Sequence, residues 1–162
     1  MTITWDDLTV KFDENASNKL IRDWTWLTGT DKTPIMVSSI GDLFLKDKTD
    51  RVFWLNTGNG TLTAVADAIE MFREKLQDQD VVNDWFLVDL IDALKTEGKR
   101  LKPGQVYSYR KLIVLGGDYT PDNFEPTDIE VHFSFAGQIH QQVKDLPPGT
   151  KIDLIKFIPG KD

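Results

Sequence analysis

His132 and His140 are the only imidazoles in the chain, so metal or acid–base chemistry by histidine would have to begin with them. The alternation in residues 129–135 and 138–143 around Ala136 and Gly137 predicts a β-hairpin. With Phe135, Ala136 and Gly137 as its loop, Ser134 pairs with Gln138 and His132 lies opposite His140. Two imidazoles at that spacing, with Glu130 or Gln142 on the same face, have the makings of a divalent-metal site. A two-residue loop would shift the pairing and break the site. No HxxxH or carboxylate triad backs it, so ordinary half-buried sheet histidines are the simpler expectation, and no bound metal is expected.

The other chemistry-bearing residue types are weaker. Asp6 with Asp7, Asp47 with Asp50, and Asp89 with Asp92 are carboxylate pairs, but a chain with 26 acidic residues produces such pairs by chance. Acid–base work on a glycosidic bond needs two carboxylates in a cleft, one with a raised pKa, and spacing alone supplies neither. Gly58, Asn59 and Gly60 form a GxG with no third glycine and no following Lys-Ser/Thr. A turn explains them better than a phosphate loop. There is no GxSxG and no cysteine, which excludes thiolate nucleophiles, Fe–S clusters and cysteine zinc sites. Trp54 and Trp85 are expected in the core rather than as platforms for a cofactor. The expectation is no catalysis and no cofactor.

Charge is the more informative property. The formal net charge is −7, the wrong sign for gripping nucleic acid phosphates. Between Asp67 and Asp92 eight carboxylates stand against Arg73 and Lys75, a local net charge of −6. This is either a solvated helix surface or an acidic face for a basic protein partner, which it would also steer. Outward carboxylates Glu70, Glu74, Asp89 and Asp92 are the candidate contact residues.

The elements that must position these groups begin with a meander. Residues 42–46, 51–56 and 61–65 read as three strands, joined by the polar residues 47–50 and by Asn59-Gly60, which suits a type I′ turn. Phe44, Phe53, Trp54 and Leu55 place large groups on both faces of the middle strand, as a central strand requires. Asp67, with Glu70 three residues on, reads as a capping box for a helix with Val65, Ile69, Phe72 and Leu76 on one face. Residues 78–82 connect it to a second helix, capped near Asn83 or Asp84, with Leu87, Leu90, Ile91 and Leu94 as its stripe and Gly98 as its stop. An antiparallel helical pair results.

Around that centre, residues 1–12 fit a short helix or a strand equally. Ser17 caps a helix with Leu20, Trp24 and Leu27 on one face, Trp26 at its border and Gly29 as its stop. Residues 35–39 and 105–109 read as strands, 112–115 as a short buried run, 118–127 as a loop holding two prolines, and 152–157 as a closing strand. No repeat, low-complexity tract or linker breaks the sequence, so one domain over 1–162 is expected. The result is an α+β fold: a largely antiparallel twisted sheet with a β-meander, packed with a helical pair and an N-terminal helix. A chain of 162 residues buries roughly 70% of its unfolded surface without staples. The opening MTITWDDLTV lacks the basic flank and apolar run of a signal peptide, and no stretch approaches a membrane span. A soluble, cytoplasmic protein is expected.

WTWLTG at 24–29, GDLFLKD at 41–47, VFWLNTGNGTL at 52–62, WFLVDLIDALK at 85–95 and VHFSFAGQIHQQVKDLPPGT at 131–150 resemble the C-terminal domain of bacterial type VI secretion DNase-immunity proteins. That family was formerly catalogued as a domain of unknown function and is similar in organisation to the SUKH superfamily. The resemblance runs over about residues 24–158, and its motifs are structural rather than active-site signatures. It implies a cytoplasmic α+β protein that neutralises a toxin, often a nuclease, by binding it, with no catalysis of its own. Many relatives carry an additional N-terminal domain, for which no counterpart is expected here. The implied partner is a protein, a basic nuclease toxin, rather than nucleic acid or membrane. The alternatives are a small metal-dependent hydrolase using His132 and His140, or a general interaction domain; oligomeric state is left open.

Overall fold

A computed structural model describes residues 2–147, 149 and 150; the closing strand expected at 152–157 lies outside them. Both readings of the first dozen residues are realised in turn. Trp5–Leu8 forms α1, opened by a Thr4/Asp7 capping box, and Thr9–Val10 forms β1. The expected helix after Ser17 is a broken one: α2 (Asn18–Ile21), a 3-10 turn at Arg22–Trp24, then α3 (Thr25–Thr28). Gly29 ends it at φ +72°, a conformation open to glycine without steric cost.

The meander is present with the expected strands. β2 (Thr33–Ser38), β3 (Leu43–Lys46), β4 (Val52–Asn56) and β5 (Thr61–Ala66) pair antiparallel in sequence order, with β1 on the outer edge of β2. In the first turn Asp47 accepts bonds from Thr49 N, Thr49 Oγ1 and Arg51 N, at 2.8, 2.7 and 3.1 Å. The second turn differs from expectation. Asn56 pairs with Thr61, leaving a four-residue loop, and only Gly60, not Asn59, has positive φ. A type I′ turn is therefore absent; bonds from Thr57 to groups outside the hairpin hold the loop in this wider form, as detailed below.

Phe44 explains how the helices dock. Its ring lies 5.2 Å from Phe72, 5.4 Å from Trp85 and 5.6 Å from Phe86 between centroids, while Leu43 and Leu45, which alternate to the other face of β3, are also fully buried. β3 is thus covered on both sides, whereas on β4, the strand expected to be central, Val52 and Leu55 are buried and Phe53 and Trp54 are half-buried. Phe72 belongs to α4 (Ile69–Lys75), and Trp85 and Phe86 to α5 (Gln79–Phe86), so one ring on β3 anchors both helices.

Three helices replace the expected pair. α5 begins at an Asp78 cap whose side chain accepts from Asp80 N, within the segment read as a connection. It ends at Leu87, whose φ of +49° and ψ of +57° stop one helix and start the next, α6 (Val88–Thr96). The apolar stripe runs across this break, so periodicity alone reads it as one helix. Asp67 is not the α4 cap either: that position is Ala68, with no side-chain bond, and Asp67 instead lies 3.9 Å from Arg51.

β6 (Gln105–Tyr109) pairs antiparallel with β7 (Phe124–Asp128), a strand inside the segment expected to be loop. Pro126, opposite Tyr107, disguises it, since proline is tolerated in such an outer strand of a two-stranded ribbon. Residues 113–115 form a 3-10 turn with Val114 exposed, so the expected buried run holds only for Leu112.

The largest correction is at 129–143. The predicted hairpin is one helix, α7 (Ile129–Val143), capped by Asp128, whose carboxylate accepts from Glu130 N and Val131 N. Ile129, His132, Phe133, Ala136, Ile139 and His140 are buried, a helical stripe that the fortuitous period-two alternation conceals. Overall the arrangement is α+β, with a five-stranded antiparallel sheet and a separate two-stranded ribbon. Among the described residues no helix is long and apolar enough to cross a membrane.

Candidate functional site

The helical state of 129–143 separates the two histidines. Eight residues apart on α7, they are displaced by about 12 Å along the axis at about 1.5 Å per residue, so they cannot share one metal as cross-strand neighbours would. Each is instead a docking pin. His132 is 1% exposed, and its Nε2–H donates to Gly41 O at 2.7 Å while Nδ1 accepts from the Ser108 hydroxyl at 2.6 Å. Both ring nitrogens are thus used, and burial pushes its pKa down from 6.5 to about 4. His140 Nε2–H donates to Thr57 O at 2.8 Å, and burial lowers its pKa too. Glu130 is on the exposed surface near Lys19. Among the described residues no group of three His, Cys, Asp or Glu side chains is placed to hold a metal ion.

The rings sit directly on glycines. A Cβ added at Gly41 would stand 2.3 Å from His132 Nε2, and one at Gly60 would stand 2.4 Å from His140 Nδ1. Both glycines also have positive φ, +86° and +68°. Beneath the rings Thr57 joins the pieces: its N–H donates to Asp42 Oδ1 at 2.9 Å, and its hydroxyl lies 2.7 Å from Gly41 O. Asp42 also accepts from Trp54 Nε1 at 3.2 Å. Burial outweighs these donors and pushes the Asp42 pKa up from 3.8 to about 7. This buried assembly is structural chemistry that fastens α7 to the turns of the meander. Its members were invisible as a set because Asp42, Thr57, Ser108 and His132 are remote in sequence.

The outward acidic surface is the better candidate for contact with a partner. Glu70 and Glu74 on α4 and Asp89 on α6 are exposed, as are Asp78, Asp80 and Asp84 along α5. Asp92 differs: it is half-buried, and its Oδ1 is buried without a hydrogen-bond partner. Three of the four candidate carboxylates therefore face outward fully. With the break at Leu87 the carboxylates are spread over three short helices rather than the expected two. Beside α6, Leu87, Val88, Ala93, Tyr119 and Pro121 line a shallow hollow, with Asn83 and Asp89 among its polar walls.

Comparison with known proteins gives one family. Residues 66–140 match the family model described as T6SS immunity protein Tdi1, C-terminal, a narrower span than the resemblance read from the sequence. No curated protein matches the chain. Among solved structures it is similar to the crystal structure of Atu4351 from Agrobacterium tumefaciens, with a TM-score of 0.52 and 18% identity, covering 75% of this chain and 64% of that one. At that identity the likeness speaks for the fold alone, and the chain spans less than two thirds of that protein. The matched residues run from the end of β5 to His140 on α7 and take in all three acidic helices. Over residues 66–140, somewhat under half of its length, this chain is therefore similar to the C-terminal domain of type VI secretion immunity proteins.

Proposed function

We propose that the protein is an immunity-type binder that neutralises a cognate bacterial effector by direct contact, without catalysis, in the cytoplasm. The observation that carries this reading is the family match over α4, α5 and α6, the same segment that concentrates the exposed carboxylates. The effector is a nuclease in this reading. A nuclease presents cations to phosphates, and an acidic surface of matching extent occupies those cations and excludes the substrate. Glu70, Glu74 and Asp89 make the contacts, with Asp92 at their margin.

The test is affinity capture of the tagged protein from lysate of its own source cells, washed at low and then high salt, followed by reconstitution with the purified captured protein. One basic effector retained at low salt and weakened at high salt, with its toxic activity blocked in the reconstituted mixture, is the expected outcome. Binding that leaves the effector fully active would refute neutralisation.

A further inference from the structure

The strongest feature left unused by this reading is a cleft of opposite sign. It has a volume of about 640 Å³ and is lined by β1 and the residue after it, by α1, and by the segment 100–105. Four cations line it, Lys11, Lys95, Arg100 and Lys102, against Asp6 and Asp7. Lys95 is already paired with Asp7. Lys11, Arg100 and Lys102 are exposed, and among the described residues none of the three forms a salt bridge. A hollow with uncommitted positive charge thus stands on a molecule of net charge −7.

The charges come from two separate chain segments, Lys11 at the end of β1 and Arg100 and Lys102 before β6. Among the described residues the sheet order leaves β1 as an outer strand, and the cleft runs beside it, with Thr9 and Val10 in its lining. Outer strands offer main-chain donors and acceptors to an added strand. The field of Arg100 also reaches the floor of the cleft, where it opposes the burial that raises the Tyr107 pKa.

We propose that this cleft docks an extended acidic segment of a protein partner, laid beside β1 with its carboxylates on Lys11, Arg100 and Lys102. Charge complementarity selects the occupant. A polynucleotide carries a continuous run of phosphates and is repelled by the rest of the molecule, whereas a short acidic segment meets only the positive cleft. Of the acidic helices only α6 reaches the cleft, through Lys95, and Glu70, Glu74 and Asp89 do not line it, so the two surfaces serve different partners or different parts of one.

The probe is a fluorescent peptide of alternating glutamate and valine, titrated by anisotropy against the full chain, with a lysine–valine peptide and a DNA duplex as controls. Amide chemical-shift changes map where it binds. The glutamate peptide is expected to bind saturably, with shifts at Thr9, Val10 and residues 100–105, and the lysine peptide is not. Arg100→Glu with Lys102→Glu is expected to weaken binding about tenfold or more, the scale of two reversed contacts, while Glu70→Lys with Glu74→Lys does not weaken it. Failure of the glutamate peptide to bind overturns the proposal. So do shifts confined to α4–α6, tighter binding of the duplex, or full affinity in the Arg100/Lys102 variant with an unchanged circular dichroism spectrum. Should that variant unfold, the shift map on the unaltered chain decides alone.

Discussion

Asp42 and His132 lie in one buried assembly yet have pKa values displaced in opposite senses, which gives a sharp expectation for pH dependence. His132 titrates at about 4 in the folded protein, below its ordinary 6.5, so its neutral form contributes stability that is full above pH 6.5 and lost as pH falls toward 4. Asp42 titrates at about 7, above its ordinary 3.8, so its burial costs most above pH 7 and that cost is relieved on acidification. Between pH 4 and 6.5 the folded state holds a proton on Asp42 while the unfolded state holds one on His132, and the two slopes offset. His140, also lowered, is left to weaken the fold in acid. Asp42→Asn should therefore steepen the loss of stability from pH 6.5 to 4 by up to about 1.4 kcal/mol per pH unit. His132→Gln should flatten or reverse it. Urea denaturation across that range measures both, and parallel slopes for the two variants would contradict this coupling. At the same spot Gly41→Ala should cost roughly 2–4 kcal/mol, from positive φ and a contact with the His132 ring together; a denaturation midpoint unchanged from the parent would contradict it.

At the scale of elements, α7 is held from two sides. The histidines fix it to the meander, and the tryptophans of WTW fix it to the N-terminal helical segment. Trp24 Nε1 donates to Phe133 O at 2.9 Å and Trp26 Nε1 to Gly137 O at 3.3 Å, and a Cβ at Gly137 would stand 2.5 Å from Asp23 O. Trp24→Phe keeps most of the ring but removes the buried donor, so it should cost about 1–2 kcal/mol. Trp26→Phe, at a half-buried site, should cost less, and equal thermal shifts for the two would argue against the donor role. These elements also show what was legible in the sequence. The strands of the meander could be read because their alternation and the polar residues between them are local, although the second turn is wider than the type I′ turn that Asn59-Gly60 suggests. α7 could not: Glu130, His132, Ser134 and Gln138 alternate with apolar residues as a strand would, and only the Asp128 cap marked a helix start. The break at Leu87 left no trace, because no glycine or proline marks it. Pro126 concealed β7 for the opposite reason, being a breaker in a strand that tolerates it. Of the candidate contact carboxylates, Glu70, Glu74 and Asp89 have the exposure that their helical phase implied, and Asp92 does not.

The whole molecule is electrically divided, with carboxylates spread over α4, α5 and α6 and a positive cleft beside β1. Binding through the helices should carry the signature of long-range attraction: a fast association rate that falls steeply with salt and a dissociation rate that hardly changes. Reversing Glu70, Glu74 and Asp89 together to lysine should slow association by about tenfold or more without altering the thermal midpoint by more than a few degrees, since all three are exposed. Stopped-flow mixing with the captured effector reads this directly. The central claim, neutralisation by that surface, is tested most directly by growth of cells expressing the effector with the protein or with its triple-lysine variant. The account predicts full growth with the parent protein and killing with the folded variant. Equal protection by both would contradict a role for the acidic helices, and killing in both cases would contradict the immunity function itself.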